Sequence, residues 1–245
     1  MSSSINNHHS TTKYMQLALI LKQQIEAGHW QPRDVIPSER QLEIQYRVSR
    51  PTIRQAIEYL ERLGLLYREH GKGTFVSPQK LQKGMQELTS FSEDLIRRGI
   101  KPGQIIRSIS REIPSPSISA RLEMETGNAV LKIERIRLGD QTPIGLQTSY
   151  IALDENQGIT YQDLENSGSL YLLLEEKFNI IPTEADETLE ITLATPEEAA
   201  LLQIKTDAPL LLNERLTYNQ NRKPVEFVKI LYRGDRFRYI TRLAK

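Results

Sequence analysis

Two pairs of arginines set two separate chemical problems in this chain of 245 residues. Arg50 and Arg54 are four apart, and on a helix that spacing puts both guanidiniums on one face. They open with the run Ser49-Arg50-Pro51-Thr52, so hydroxyls and helix-start amides lie beside them. A guanidinium there can donate twice to O6 and N7 of a guanine in a major groove, and Ser49 and Thr52 suit phosphate. Arg135 and Arg137, in "IERIRL", are two apart, and on a strand that spacing also gives one face. Two like charges on one face suit a polyanionic or carboxylate ligand. Each pair has a plainer alternative. The first can be a solvated arginine face, and the second can form salt bridges on an exposed sheet.

What is missing narrows the chemistry. The chain has no cysteine, which removes disulfides, thiolate nucleophiles and Cys-containing zinc sites together. Its four histidines are His8, His9, His29 and His70, so residues 78–245 hold neither His nor Cys for acid–base or nucleophilic work. Carboxylates remain, but the pattern argues against an enzyme, and no cofactor or metal is expected. The net charge of +1 hides an asymmetry: residues 1–77 carry ten Lys and Arg against seven Asp and Glu, and the remainder twenty-two against twenty-four. A mildly basic head on a mildly acidic body fits a polyanionic partner for the head. No apolar run approaches a membrane span, and the polar start has no secretory signal, so a cytoplasmic location is expected.

The elements must then place these residues. In the head, Tyr14, Leu17, Leu21 and Ile25 recur at helical spacing up to Gly28. Ser38 caps a second helix that ends near Tyr46, "RVSR" turns, and Pro51 sits in the first turn of a third helix that runs to Leu63 and Gly64. "LLYREHGKGTFV" is a hairpin whose glycine-rich tip, with Lys72 as its cation, is narrow enough for a minor groove. Residues 78–87 are polar and unperiodic, which predicts a linker between a head at 12–77 and a body at 88–245, with 1–11 as a disordered or tag-like tail. The body predicts strands at 105–109, 130–138, 144–151, 188–193, 210–218 and 225–232. Helix signals fall at 90–98, 118–125, 170–178 and from Thr195. Strands joined by hairpin turns ("GDQTP", "NQNRKP") and mixed with helices argue for an α+β class.

The run "PSERQLEIQYRVSRPTIRQAIEYLERLGLLYREHGKGTFV", residues 37–76, resembles the GntR family of winged helix-turn-helix regulators. The resemblance implies that Arg40, Ser49, Arg50, Thr52, Arg54, Gly71, Lys72 and Gly73 contact double-stranded DNA. Pro51 departs from the family pattern, since it removes an amide and any side-chain donor at that point. The body resembles the ligand-binding UTRA domain of the HutC subfamily, through "LTSFSEDLIRRGIKPG", "IERIRL" and "FVKILYRGDRFRY". It implies a chorismate-lyase-like antiparallel sheet with helices, and an effector site built from Ser90, Phe91, Ser92, Arg135, Arg137, Gln147, Ser169, Tyr171, Glu226 and Tyr232. Within the subfamily the chain is most similar to repressors of N-acetylglucosamine use, which respond to amino-sugar phosphates; Gln147 stands where those sensors tend to have Glu. A phosphonate or carboxylate effector, or a chorismate-lyase-like enzyme, is the alternative. A single winged helix reads one half-site, so a homodimer on a palindromic operator is expected.

Overall fold

The computed structural model describes residues 12–69, 71–77, 81–84 and 88–240. The expected tail at 1–11 and His70 of the hairpin tip lie outside them. The chain divides into two compact units, residues 1–80 and 81–245, and each is described by itself.

The first unit packs α1 (Lys13–Glu26), α2 (Glu39–Tyr46) and α3 (Arg50–Arg62) with a hairpin of β1 (Leu66–Glu69) and β2 (Gly73–Val76). Leu17, Leu21, Leu42, Ile53, Ile57 and Leu60 meet in one core, closed by Leu66 and Val76 of the hairpin. Ser38 and Gln41 form a reciprocal capping box at the start of α2. The turn into α3 is made by Arg47, whose backbone is left-handed. Gly64 (φ 69°) ends α3, and Gly71 (φ 74°) and Gly73 (φ 129°) shape the hairpin tip where other residues would be strained.

The second unit is built on one antiparallel sheet. In chain order come β3 (Leu81–Gly84), α4 (Phe91–Arg97), β4 (Pro102–Glu112), α5 (Pro116–Arg121), β5 (Val130–Gly139), β6 (Thr142–Ile151), α6 (Tyr161–Ser167) and α7 (Leu170–Phe178). They are followed by β7 (Pro182–Leu193), α8 (Pro196–Leu202), β8 (Pro209–Asn219), β9 (Pro224–Arg233) and β10 (Phe237–Ile240). Six strands are ordered β4-β5-β6-β9-β8-β7. Two hairpins fix the centre: Asp140 and Gln141 turn β5 into β6, and Arg222 turns β8 into β9, all three at positive φ. α6 and α7 pack Leu164, Leu170, Leu173 and Leu174 against Leu131 and Ile133 of β5. Ile118 and Leu122, in and just after α5, pack on Val130 and Phe227. α8 buries Ala199 and Leu202 against Leu210. Successive strand residues face opposite sides, so Leu131 and Ile133 meet α6 and α7 while Val130 meets the α5 side.

Three elements depart from expectation. The stretch 78–87, expected as a linker, contains β3, which pairs in parallel with β10, Leu81 opposite Phe237 and Gly84 opposite Ile240. Strand pairing uses backbone groups and needs no apolar period, so "LQKG" gives no signal; residues 78–80 and 85–87 lie outside the described set. α6 was not expected, because a helix of about two turns with a single buried residue, Leu164, shows no periodicity. β10 was not expected either, since the strand signals end at 232.

Candidate functional sites

On the head, α3 presents its first turn to solvent. Arg50 and Arg54 are exposed, as are Arg40 on α2, Ser49, and Gly71, Lys72 and Gly73 at the hairpin tip, while Thr52 is half-buried. The eight residues expected to meet DNA therefore belong to one small unit, and seven of them are open to solvent. Several are engaged with each other or with neighbours. Ser49 Oγ and Thr52 Oγ1 are 2.9 Å apart and share a hydrogen bond. Lys72 Nζ pairs with Glu69 at 2.9 Å, which holds its pKa above the usual lysine value. Arg50 Nε donates to Glu39 at 3.1 Å.

In the second unit the strand registers collect the other arginine pair. Arg135 lies opposite Gln147 and Arg137 opposite Gly145 across the β5–β6 ladder. Gly145 in turn opposes Tyr232 of β9, and a Cβ there would sit 3.2 Å from the Tyr232 ring. All ten residues expected in the effector site line one pocket: Ser90, Phe91, Ser92, Arg135, Arg137, Gln147, Ser169, Tyr171, Glu226 and Tyr232. The alternative of an exposed salt-bridging sheet face does not hold, since Arg135 is 3% and Arg137 2% exposed.

Neither guanidinium forms an ion pair among the described residues. Both donate to the Gln104 Oε1 atom, at 3.2 Å from Arg135 and 2.9 Å from Arg137. Arg137 also donates to Ser92 Oγ at 3.4 Å and lies 4.0 Å over the Phe91 ring. The Nε atoms of both arginines are buried without a hydrogen-bond partner, as are Gln147 Oε1 and Glu226 Oε1. Burial pushes the Arg135 pKa down to about 10, against the pull of Glu226, and burial with the Arg135 charge beside it pushes Arg137 well down. Tyr171 is pushed up to about 12 by burial and by Glu226. The arrangement is a buried positive surface with unsatisfied donors, and its lining includes a carboxylate, Glu226, with an unpartnered oxygen. Its free cavity is about 30 Å³, room for one or two waters and far below the roughly 300–1,000 Å³ of ligand pockets. A ligand must therefore displace side chains.

The Ser90 hydroxyl proves to be engaged in local structure. It accepts from the Glu93 amide at 3.2 Å while Glu93 returns a bond to the Ser90 amide, so the cap occupies it. Ser92 Oγ donates to the Gly168 carbonyl at 2.7 Å and ties α4 to the α6–α7 corner. Ser169 caps α7 by accepting from the Leu172 amide.

The UTRA domain family model matches residues 97–238, and the model described as bacterial regulatory proteins, gntR family, matches residues 13–76. The chain belongs to the GntR family. This GntR regulator is 37% identical over 238 residues to the HTH-type transcriptional repressor NagR of Bacillus subtilis (strain 168), covering 97% of each chain. It is 30% identical to the probable fructoselysine utilization operon transcriptional repressor of Escherichia coli (strain K12), covering 86% of each. Its fold matches the crystal structure of PhnF from Mycobacterium smegmatis with a TM-score of 0.60 and 26% identity, over 93% of this chain and 98% of that one. These relatives and folds are transcription regulators and not enzymes.

Sequence reasoning missed two charged members of the GntR regulator's pocket, Arg215 and Asp94. Arg215 of β8 lines it, donating to the Thr89 carbonyl and the Tyr171 hydroxyl, each at 3.2 Å, and pairing with Glu187. Its signal was the alternation Asn213, Arg215, Thr217, three polar residues on one strand face, all buried. Asp94 also lines the pocket and is paired with Arg98; its place in the first turn of α4 reads as dipole compensation from sequence.

Proposed function

We propose that this GntR regulator is a repressor that binds a palindromic operator as a homodimer through α3 and the hairpin tip. A small anionic effector, best fitted by a sugar phosphate, enters the Arg135/Arg137 pocket and releases it. The observation that carries the effector reading is the pair of buried guanidiniums with unpartnered Nε atoms and no ion pair among the described residues. An uncompensated buried charge costs several kcal/mol, and an anion is what would satisfy it. Glu226, buried with a free Oε1 across the pocket, can accept from a hydroxyl or protonated amine on the same ligand, which favours an amino-sugar phosphate over a bare carboxylate. The similarity to a repressor named NagR supports repression as the mode of action. Function in the cytoplasm follows from binding chromosomal DNA.

The contracted cavity gives the release a physical basis. An effector that fills it must move Arg137 off Phe91 or shift the start of α4, so it selects a different arrangement of that helix. The Thr89 carbonyl, held by Arg215, sits at the chain's entry to α4.

A thermal-shift screen over sugar phosphates, phosphonates and small carboxylates tests this reading, because a ligand that binds only the folded state raises its melting temperature. Amino-sugar phosphates are expected to give the largest shift. A shift with carboxylates alone would overturn the sugar-phosphate assignment.

A further inference from the structure

The two arginines that face outward on α3 are not independent. Glu39, the first residue of α2, lies within 4 Å of three guanidiniums: Arg50 Nε is 3.1 Å from Oε2, and Arg54 Nε and the Arg68 NH2 are each 3.8 Å from Oε1. Arg68, on β1, is also 3.4 Å from Glu61 of α3. One carboxylate thus joins α2, α3 and the hairpin. The Glu39 side chain is only 24% exposed, whereas Arg50 and Arg54 are 69% and 59% exposed. The carboxylate is therefore the fixed point, and the long flexible side chains are gathered on it.

We propose that Glu39 is a positioning residue for sequence reading, which holds the Arg50 and Arg54 forks at a set angle before DNA arrives. This rests on the reading of α3 as the recognition helix. An exposed arginine otherwise samples many rotamers, and ordering it on binding has an entropic cost. A bidentate contact with a guanine edge depends on the angle of the fork, whereas a phosphate contact tolerates many angles. A negative charge beside the groove also repels the backbone of every sequence alike. Glu39 should therefore weaken random-DNA binding and sharpen discrimination, which a purely structural helix-start residue would not do.

The test uses the full chain and the duplex it enriches from a random-sequence library, with an unrelated duplex as the random probe, at fixed salt. Glu39→Gln keeps the helix start and removes the charge. It should bind random DNA about threefold more tightly, and its ratio of selected to random affinity should fall by about tenfold. Glu39→Asp keeps the charge but is one methylene shorter, so the ratio should fall while random-DNA affinity stays put. In an Arg50→Ala/Arg54→Ala background, Glu39→Gln should no longer change the ratio, because the groups through which it acts are gone. An unchanged ratio for both single variants overturns the inference, as does the same fall in both backgrounds. If the Arg50→Ala/Arg54→Ala protein keeps the full ratio, α3 is not reading bases, and the recognition-helix assignment falls as well.

Discussion

Arg137 is expected to lower the stability of the fold that holds it, because its charge is buried without an ion pair among the described residues. It is 2% exposed, its Nε has no partner, and its guanidinium is met by neutral groups, Gln104 Oε1 at 2.9 Å, Ser92 Oγ at 3.4 Å and the Phe91 ring at 4.0 Å. Replacing buried charge by an apolar side chain of similar volume is often neutral or stabilising by about 1–4 kcal/mol. Arg137→Met should therefore melt no lower than the parent without effector and lose the effector-induced shift entirely; a melting point several degrees lower with the shift retained would remove Arg137 from the site. Arg135→Ala should abolish the response to effector in a gel-shift titration while operator affinity stays nearly intact. On the head, Lys72 is 72% exposed at the hairpin tip, and its ammonium suits a phosphate. Lys72→Ala should weaken selected and random DNA by the same factor and reduce the slope of log affinity against log salt by about one. A loss confined to the selected duplex would make it a base contact.

At the scale of elements, β10 is the piece that joins the pocket wall to the start of the second unit. Phe237 is 4% exposed and its ring centroid lies 4.1 Å from that of Tyr232, which lines the pocket. Its strand pairs with β3, which begins one residue after the first unit ends. The turn that launches β10 passes so close to Pro209 that a Cβ at Gly234 would sit 2.7 Å from that carbonyl oxygen, so its path is narrowly set. Phe237→Leu, which keeps an apolar side chain but removes the ring contact with Tyr232, should leave effector affinity within a few-fold but reduce the effector's weakening of operator binding. Full coupling in that variant would route the signal elsewhere, through the α4 start. The α6–α7 corner makes a second, pH-dependent prediction. Asp163 pairs with Lys177 at 2.7 Å and accepts from the Thr160 amide and hydroxyl, which hold its pKa down at about 2. A depressed carboxyl stabilises the fold above its ordinary value and loses that contribution as pH falls through about 2. Thermal melts of Asp163→Ala should accordingly lose part of the stability decline that the parent shows on acidification below about pH 4.

For the whole molecule, much was readable from sequence because the signals were local. Ser38, Pro51, Gly64 and the glycine hairpin each mark a joint, and the six long strands alternate plainly enough to be found. The ten pocket residues came from the family resemblance and were brought together by a register no periodicity could supply: β6 pairs with β9, Ile151 opposite Glu226 and Gly145 opposite Tyr232, which joins the β5–β6 hairpin carrying Arg135 and Gln147 to the β8–β9 hairpin far along the chain. Arg215 stayed hidden because its partners Thr89, Tyr171 and Glu187 come from other elements, whereas Glu39 reads from sequence as dipole compensation in the first turn of α2. A homodimer would place two heads on half-sites about 34–36 Å apart, so sedimentation at micromolar concentration should report twice the chain mass, with the palindromic duplex binding one such dimer. Effector and operator are expected to oppose each other through one protein. Linkage requires that the factor by which the effector weakens operator binding equal the factor by which operator weakens effector binding. Calorimetric titration of the sugar phosphate giving the largest thermal shift, into the protein alone and into the protein saturated with its selected duplex, measures that factor. The account predicts weaker effector binding in the presence of DNA, by the ratio seen in gel shifts; identical affinities in the two titrations would contradict it.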